Sequence, residues 1–126
     1  LGIEALSRGA AHCDFVDADE EAITAVGRHL NTLDATQCST VSCDMAEHYL
    51  RQTHGTWDIV FVDPPFDARL GESSLTQLAH SGRLAEASRV YFETSRSQPE
   101  PIPAGLYDVL REKTTGDVCY RLLSPR

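Results

Sequence analysis

Residues 58–66 read Asp58-Ile59-Val60-Phe61-Val62-Asp63-Pro64-Pro65-Phe66, four large apolar residues running straight into an acid, two prolines and an aromatic ring. The apolar run has the continuity of a parallel strand buried on both faces, which predicts the central strand of a sheet with Phe61 in the core. Proline has no N–H, fixes its own φ and biases the residue before it toward extended geometry, so Pro64-Pro65 ends the ladder in a stiff, extended form. Left at the tip are the Asp63 carboxylate, carbonyl oxygens without ladder partners, and the Phe66 ring.

Such a set of groups suits a flat heterocycle bearing an exocyclic NH2. Its two N–H donors would meet Asp63 and the Pro64 carbonyl while its face lies on Phe66, a stacking contact of about 1–3 kcal/mol per base. An isolated Asp-Pro-Pro is more often a turn that merely ends a strand. The apolar run before it and the phenylalanine after it favour the binding tip.

Outward from this strand, helical and strand-like segments alternate without an internal repeat. Residues 1–9 read as a helix closed by Gly9 in a left-handed conformation. Residues 13–19, Cys-Asp-Phe-Val-Asp-Ala-Asp, read as a strand ending in acids, and Ile23, Val26, Leu30 and Leu33 follow at helical spacing. Residues 39–43 form a second strand, after which Asp44 and Glu47 resemble a capping box ahead of Met45, Ala46, Tyr49 and Leu50. Leu75, Leu78 and Ala79 mark a further helix, residues 89–94 another strand, and residues 106–113 with 117–123 a terminal hairpin. The sum is an open α/β sheet, mostly parallel with an antiparallel edge, and such sheets bind ligands beyond the carboxyl ends of their strands. Acids stand at those ends: Asp17, Asp44 and Asp63. Asp17 can cap the next helix, as Asp19 can, or accept from ribose hydroxyls, and Asp44 taken alone is more often a helix cap. Trp57 is assigned to the core.

Composition narrows the class. A chain of 126 residues fits one domain with a single core. No stretch approaches the roughly 20 apolar residues of a membrane span, and the first residues lack the regions of a signal peptide, so a soluble cytoplasmic protein is expected. Four cysteines without a CxxC pair predict reduced thiols, and five histidines without HxxxH or HExxH spacing argue against a metal site. Eleven basic against nineteen acidic residues, a net charge of −8, should repel phosphate backbones.

Four stretches, LGIEALSRGA (1–10), FVDAD (15–19), FVDPPF (61–66) and LREKTTGDVCYRLL (110–123), stand in the order and spacing of one family. With them the chain resembles, over essentially its whole length, the RsmD-type 16S ribosomal RNA guanine-N2 methyltransferases. DPPF alone is shared with adenine-N6 and cytosine-N4 enzymes; the opening stretch narrows the choice. The resemblance implies a Rossmann-like class I methyltransferase sheet and S-adenosylmethionine as cofactor. It further implies methylation of the N2 amine of a guanine in small-subunit ribosomal RNA, naked or in an assembling subunit, by a monomer. It places the cofactor's ribose at Asp17, its adenine beside Ala18, the adenine edge at Asp44 and the Met45 backbone, and the catalytic tip at Asp63, Pro64, Pro65 and Phe66.

Members of the family carry, before the residues matching Leu1-Gly2, a strand and turn of the form D-x-F-x-G-S-G-A preceded by an arginine-rich segment. Of that turn, which would cradle the cofactor's methionine moiety, this sequence holds only Gly2. The resemblance thus implies a domain incomplete at its amino terminus, its first strand and glycine loop missing, and explains the acidic balance. Two other functions stay open, an adenine-N6 amino-methyltransferase of DNA or RNA and a non-catalytic remnant of such a domain. The 126 residues alone are expected to bind S-adenosylmethionine weakly or not at all and to transfer no methyl group. Calorimetry that returned micromolar affinity for this chain would overturn that expectation.

Overall fold

The computed structural model describes residues 2–52, 55–63, 71–97 and 99–126. The chain divides into two compact units, Leu1–Gln52 and Thr53–Arg126.

The first unit runs α1 (Gly2–Ser7), β1 (Cys13–Asp17), α2 (Glu20–Thr32), a 3-10 turn (Thr36–Cys38), β2 (Ser39–Cys43) and α3 (Ala46–Gln52). Gly9, at φ 104°, turns the chain out of α1 as expected. β1 and β2 pair in parallel, with Cys13 opposite Ser39 and Asp17 opposite Cys43. Between them α2 starts where the Asp19 carboxylate accepts the Glu21 N–H at 3.0 Å, and Glu20 and Glu21 sit at the positive end of its dipole. Leu30, 1% exposed, anchors α2; burying one leucine side chain contributes about 1.5–3 kcal/mol.

In the second unit, β3 (Trp57–Val62) is followed by α4 (Gly71–His80), β4 (Leu84–Ser95), β5 (Tyr107–Thr115) and β6 (Val118–Pro125). The strand order is β3-β4-β6-β5, with β3 parallel to β4 and the β4–β6 and β5–β6 pairs antiparallel. The expected terminal hairpin is therefore present as β5–β6, and the sheet is mixed. Alternation decides the two faces. Val90, Phe92 and Leu123, all 0% exposed, lie on the face that α4 covers with Leu75 and Leu78. Phe61, Tyr91 and Tyr120 lie on the other, Phe61 meeting Tyr91 edge-on at 6.0 Å and Tyr91 meeting Tyr120 at 5.7 Å.

β3 is not the strand buried on both faces that its apolar run predicts. Ile59 is 59% and Phe61 37% exposed. Among the described residues β3 pairs only with β4, so it is an edge strand, and Ile59 and Phe61 point to the face opposite α4. Trp57 is half-buried rather than core: the Arg83 guanidinium stacks over its ring at 3.9 Å and also donates to the Gly55 carbonyl. The four cysteines are free thiols.

Tyr107, 5% exposed, donates its hydroxyl to the Leu75 carbonyl at 2.6 Å and so ties β5 to α4. Burial pushes this phenol up to about 12, against about 10 in an unfolded chain. The unfolded state therefore loses its proton first, and the stability contributed by neutral Tyr107, full below about pH 10, is lost as pH rises through the folded value. Urea denaturation should find Tyr107→Phe about 1 kcal/mol less stable near neutrality. The gap to the parent should narrow between about pH 10 and 12; a constant gap would contradict the assignment.

Candidate functional site

In the first unit, the carboxyl ends of β1 and β2 bring together Asp17, Ala18, Asp44 and Met45. The Asp44 N–H donates to the Asp17 carbonyl at 2.9 Å, and Cys43 Sγ lies 3.7 Å from the Ala18 carbonyl. The ambiguity between Asp17 and Asp19 resolves here. Asp19 caps α2, whereas Asp17 Oδ1 accepts the Asp19 N–H at 2.9 Å, which orients the carboxylate and leaves Oδ2 without a partner among the described residues. Asp44 is engaged twice, by the Met45 N–H at 2.8 Å and by the His48 ring nitrogen at 2.8 Å. Met45 itself is 51% exposed. Gly2 has a packing reason: a Cβ there would come within 2.5 Å of the Phe15 ring and 2.9 Å of Cys13 Sγ, so glycine lets α1 lie close on β1.

In the second unit, Asp63 follows the last residue of β3 directly. Pro64, Pro65 and Phe66 lie outside the described residues. Asp63 is exposed, yet the protein around it still raises its pKa through desolvation. Beside it on β4, burial and then the Asp63 charge push Glu93 up as well. Tyr91 is raised by burial first, then by Tyr120, Glu93 and Asp63; its ring meets that of Tyr120, which stands opposite Glu93 across the β4–β6 pair. Among the described residues no group of three or more His, Cys, Asp or Glu side chains is placed to hold a metal ion, and no helix is long and apolar enough to cross a membrane.

A family model described as conserved hypothetical protein 95, the RsmD family, matches residues 1–124. The chain belongs to this family. The RsmD-family chain is 35% identical to the ribosomal RNA small subunit methyltransferase D of Haemophilus influenzae over 97% of its own length and 64% of that protein's. It is equally identical to the enzyme of that name from Escherichia coli K12, over 97% of itself and 61% of the relative. The chain thus spans under two thirds of the length of these two relatives. The solved yhhF structure from Escherichia coli superimposes with a TM-score of 0.87 at 35% identity, covering all of this chain and 70% of that one. A ribosomal protein L11 methylase from Lactobacillus delbrueckii matches with a TM-score of 0.76 at 17% identity over 98% of this chain and 63% of that one, a likeness of fold alone. The fold is that of the class I methyltransferases.

Two features of this RsmD-family chain escaped the sequence. One is Glu93 with Tyr91 and Tyr120; the alternation Tyr91-Phe92-Glu93 carries the signal, since it puts the ring and the acid on one face and Phe92 on the other. The other is Glu100, 7% exposed, whose two carboxylate oxygens accept the Gly71 N–H at 3.1 and 3.0 Å and so hold the first residue of α4. Nothing local in the Pro-rich stretch after β4 announces that bond. A Cβ on Gly71 would sit 2.5 Å from the Phe92 ring and strike a Glu100 carboxylate oxygen. Gly71→Ala is expected to cost about 1–3 kcal/mol by overpacking, read as a lower urea midpoint; an unchanged midpoint would show that this contact is loose.

Proposed function

We propose that the protein carrying this chain transfers a methyl group from S-adenosylmethionine to the exocyclic N2 of a guanine in small-subunit ribosomal RNA. The observation that carries it is Asp63. Its carboxylate ends β3 with no hydrogen bond or ion pair among the described residues, directly ahead of Pro64-Pro65-Phe66 in the sequence. The names of the two methyltransferase D relatives support ribosomal RNA as the substrate class. The FVDPPF stretch supports an amine as the acceptor.

S-adenosylmethionine, when bound, supplies an already activated methyl group, so the protein's share is positioning and exclusion of water, worth up to about 7–11 kcal/mol of a barrier. The residues at the ends of β1 and β2 fit that cofactor in part. Asp17 Oδ2 is an open acceptor of the kind a ribose diol takes, already oriented through Oδ1. Asp44 and Met45 would flank the adenine, but the Met45 N–H is spent on Asp44 Oδ1 and must change partner to read a ring nitrogen.

Guanine N2 is a poor nucleophile because its lone pair is delocalised into the ring. An N2–H bond to Asp63 draws that pair back toward nitrogen, and the raised Asp63 pKa makes the carboxylate a stronger acceptor. Asp63 would hold N2 toward the activated methyl group that the bound cofactor would supply, and the N2 proton lost after transfer would pass to water. The base must leave any stack to reach Asp63.

The test is tritium transfer from labelled S-adenosylmethionine to small-subunit ribosomal RNA by the gene-encoded protein, followed by digestion and base analysis. The label should appear in N2-methylguanine, and Asp63→Ala should lower kcat about 10²–10³-fold, the loss typical of one transition-state hydrogen-bond partner, with the fold intact. Label in N6-methyladenine, or an Asp63→Ala protein as active as its parent, would sink the assignment.

A further inference from the structure

Across the β3–β4 pair, Phe61 stands opposite Tyr91 and Val62 opposite Phe92. Glu93 comes next on β4 and Asp63 is the residue directly after β3, so continued alternation puts both carboxylates on the face of Phe61 and Tyr91, at the same end of the pair. On β6, Glu93 is opposite Tyr120, and Tyr120 is opposite Lys113 of β5, so on this face a tyrosine stands between Glu93 and that cation, while Arg121, opposite Phe92, alternates to the other face. Glu93 is half-buried and, like Asp63, makes no hydrogen bond or ion pair among the described residues.

Two acids side by side, Asp63 exposed and Glu93 half-buried, repel each other. Donors from a ligand relieve that repulsion. N–H groups of a bound ligand can supply such donors. The edge of guanine presents N1–H and N2–H as adjacent donors, whereas adenine presents one amine beside a bare N1 lone pair. Opposite a carboxylate, that lone pair is repelled.

We propose that Glu93 is the specificity-determining acceptor for the base. Its carboxylate takes the N1–H of guanine while Asp63 takes an N2–H, so that the pair selects guanine over purines with an unprotonated N1. This rests on the guanine-N2 reading above and goes beyond it, because it names the atom that is read and the residue that reads it. The rise of the Glu93 pKa with the Asp63 charge agrees with the two groups being close.

The discriminating substrate is 2-aminopurine, which keeps the N2 amine but carries a lone pair at N1. After the methylated guanine has been mapped with the parent enzyme, RNA oligonucleotides carry guanine or 2-aminopurine at that position, and kcat/KM is measured on both. The parent should prefer guanine by about ten- to a hundredfold, as expected for one mismatched donor–acceptor pair. Glu93→Gln can turn its NH2 toward N1, so the preference should collapse to within about threefold; Glu93→Asp keeps an acceptor and should retain the preference. A merely structural role lowers both substrates together and leaves the ratio alone, so an unchanged ratio in Glu93→Gln overturns the proposal. A parent that does not distinguish the two bases overturns it without any variant. Methylation at guanine N2 with either of these results removes only Glu93's role, whereas a parent that never methylates guanine removes the proposed function as well.

Discussion

The parallel ladder between β3 and β4 is the constraint on which the second unit depends. Its register is pinned by the apolar face under α4, where Val90 and Phe92 are fully buried against Leu75 and Leu78. Side chains alternate along a strand, so a slip of β4 by one residue would bring Glu93 inward and turn Phe92 out. The burial of Phe92 is thus what places Glu93 on the opposite face, beside Asp63. The polar groups are positioned by a hydrophobic decision made on the other side of the sheet.

The same ring takes part in a second constraint. Phe92 lies against Gly71, whose N–H is held by the buried Glu100 carboxylate, and Arg121 donates to the Glu100 carbonyl at 2.7 Å from β6. Burying a carboxylate costs several kcal/mol. Here the charge meets the positive end of α4 and one of its unsatisfied N–H groups, which offsets part of that cost. Residues 64–70, which follow Asp63 and include Pro64-Pro65-Phe66, therefore lead into a helix whose first residue is fixed from a different part of the chain.

In the first unit the division of labour among the acids is local. Asp19 serves the α2 N-terminus, Asp17 is oriented by the Asp19 N–H, and Asp44 binds its own neighbour and His48 at i+4. Each bond spans four residues or fewer, which explains why strand-end acids could be picked out from the chain alone. Only their assignment to capping or to ligand needed the hydrogen-bond pattern.

Local chemistry in the sequence by itself determined the strand–helix alternation, the terminal hairpin and the acids at three strand ends, because periodicity, capping residues and proline act within a few positions. It also carried the family resemblance, through short stretches held in a fixed order. Tertiary structure alone decided that, among the described residues, β3 has β4 as its one neighbour, with Ile59 and Phe61 exposed, since a run of apolar residues specifies strand but not how many neighbours the strand has. It alone also put Glu93 beside Asp63 and Glu100 at the head of α4, pairs separated by roughly thirty residues whose meeting is set by strand register and packing. Nothing in the residues between them encodes those contacts.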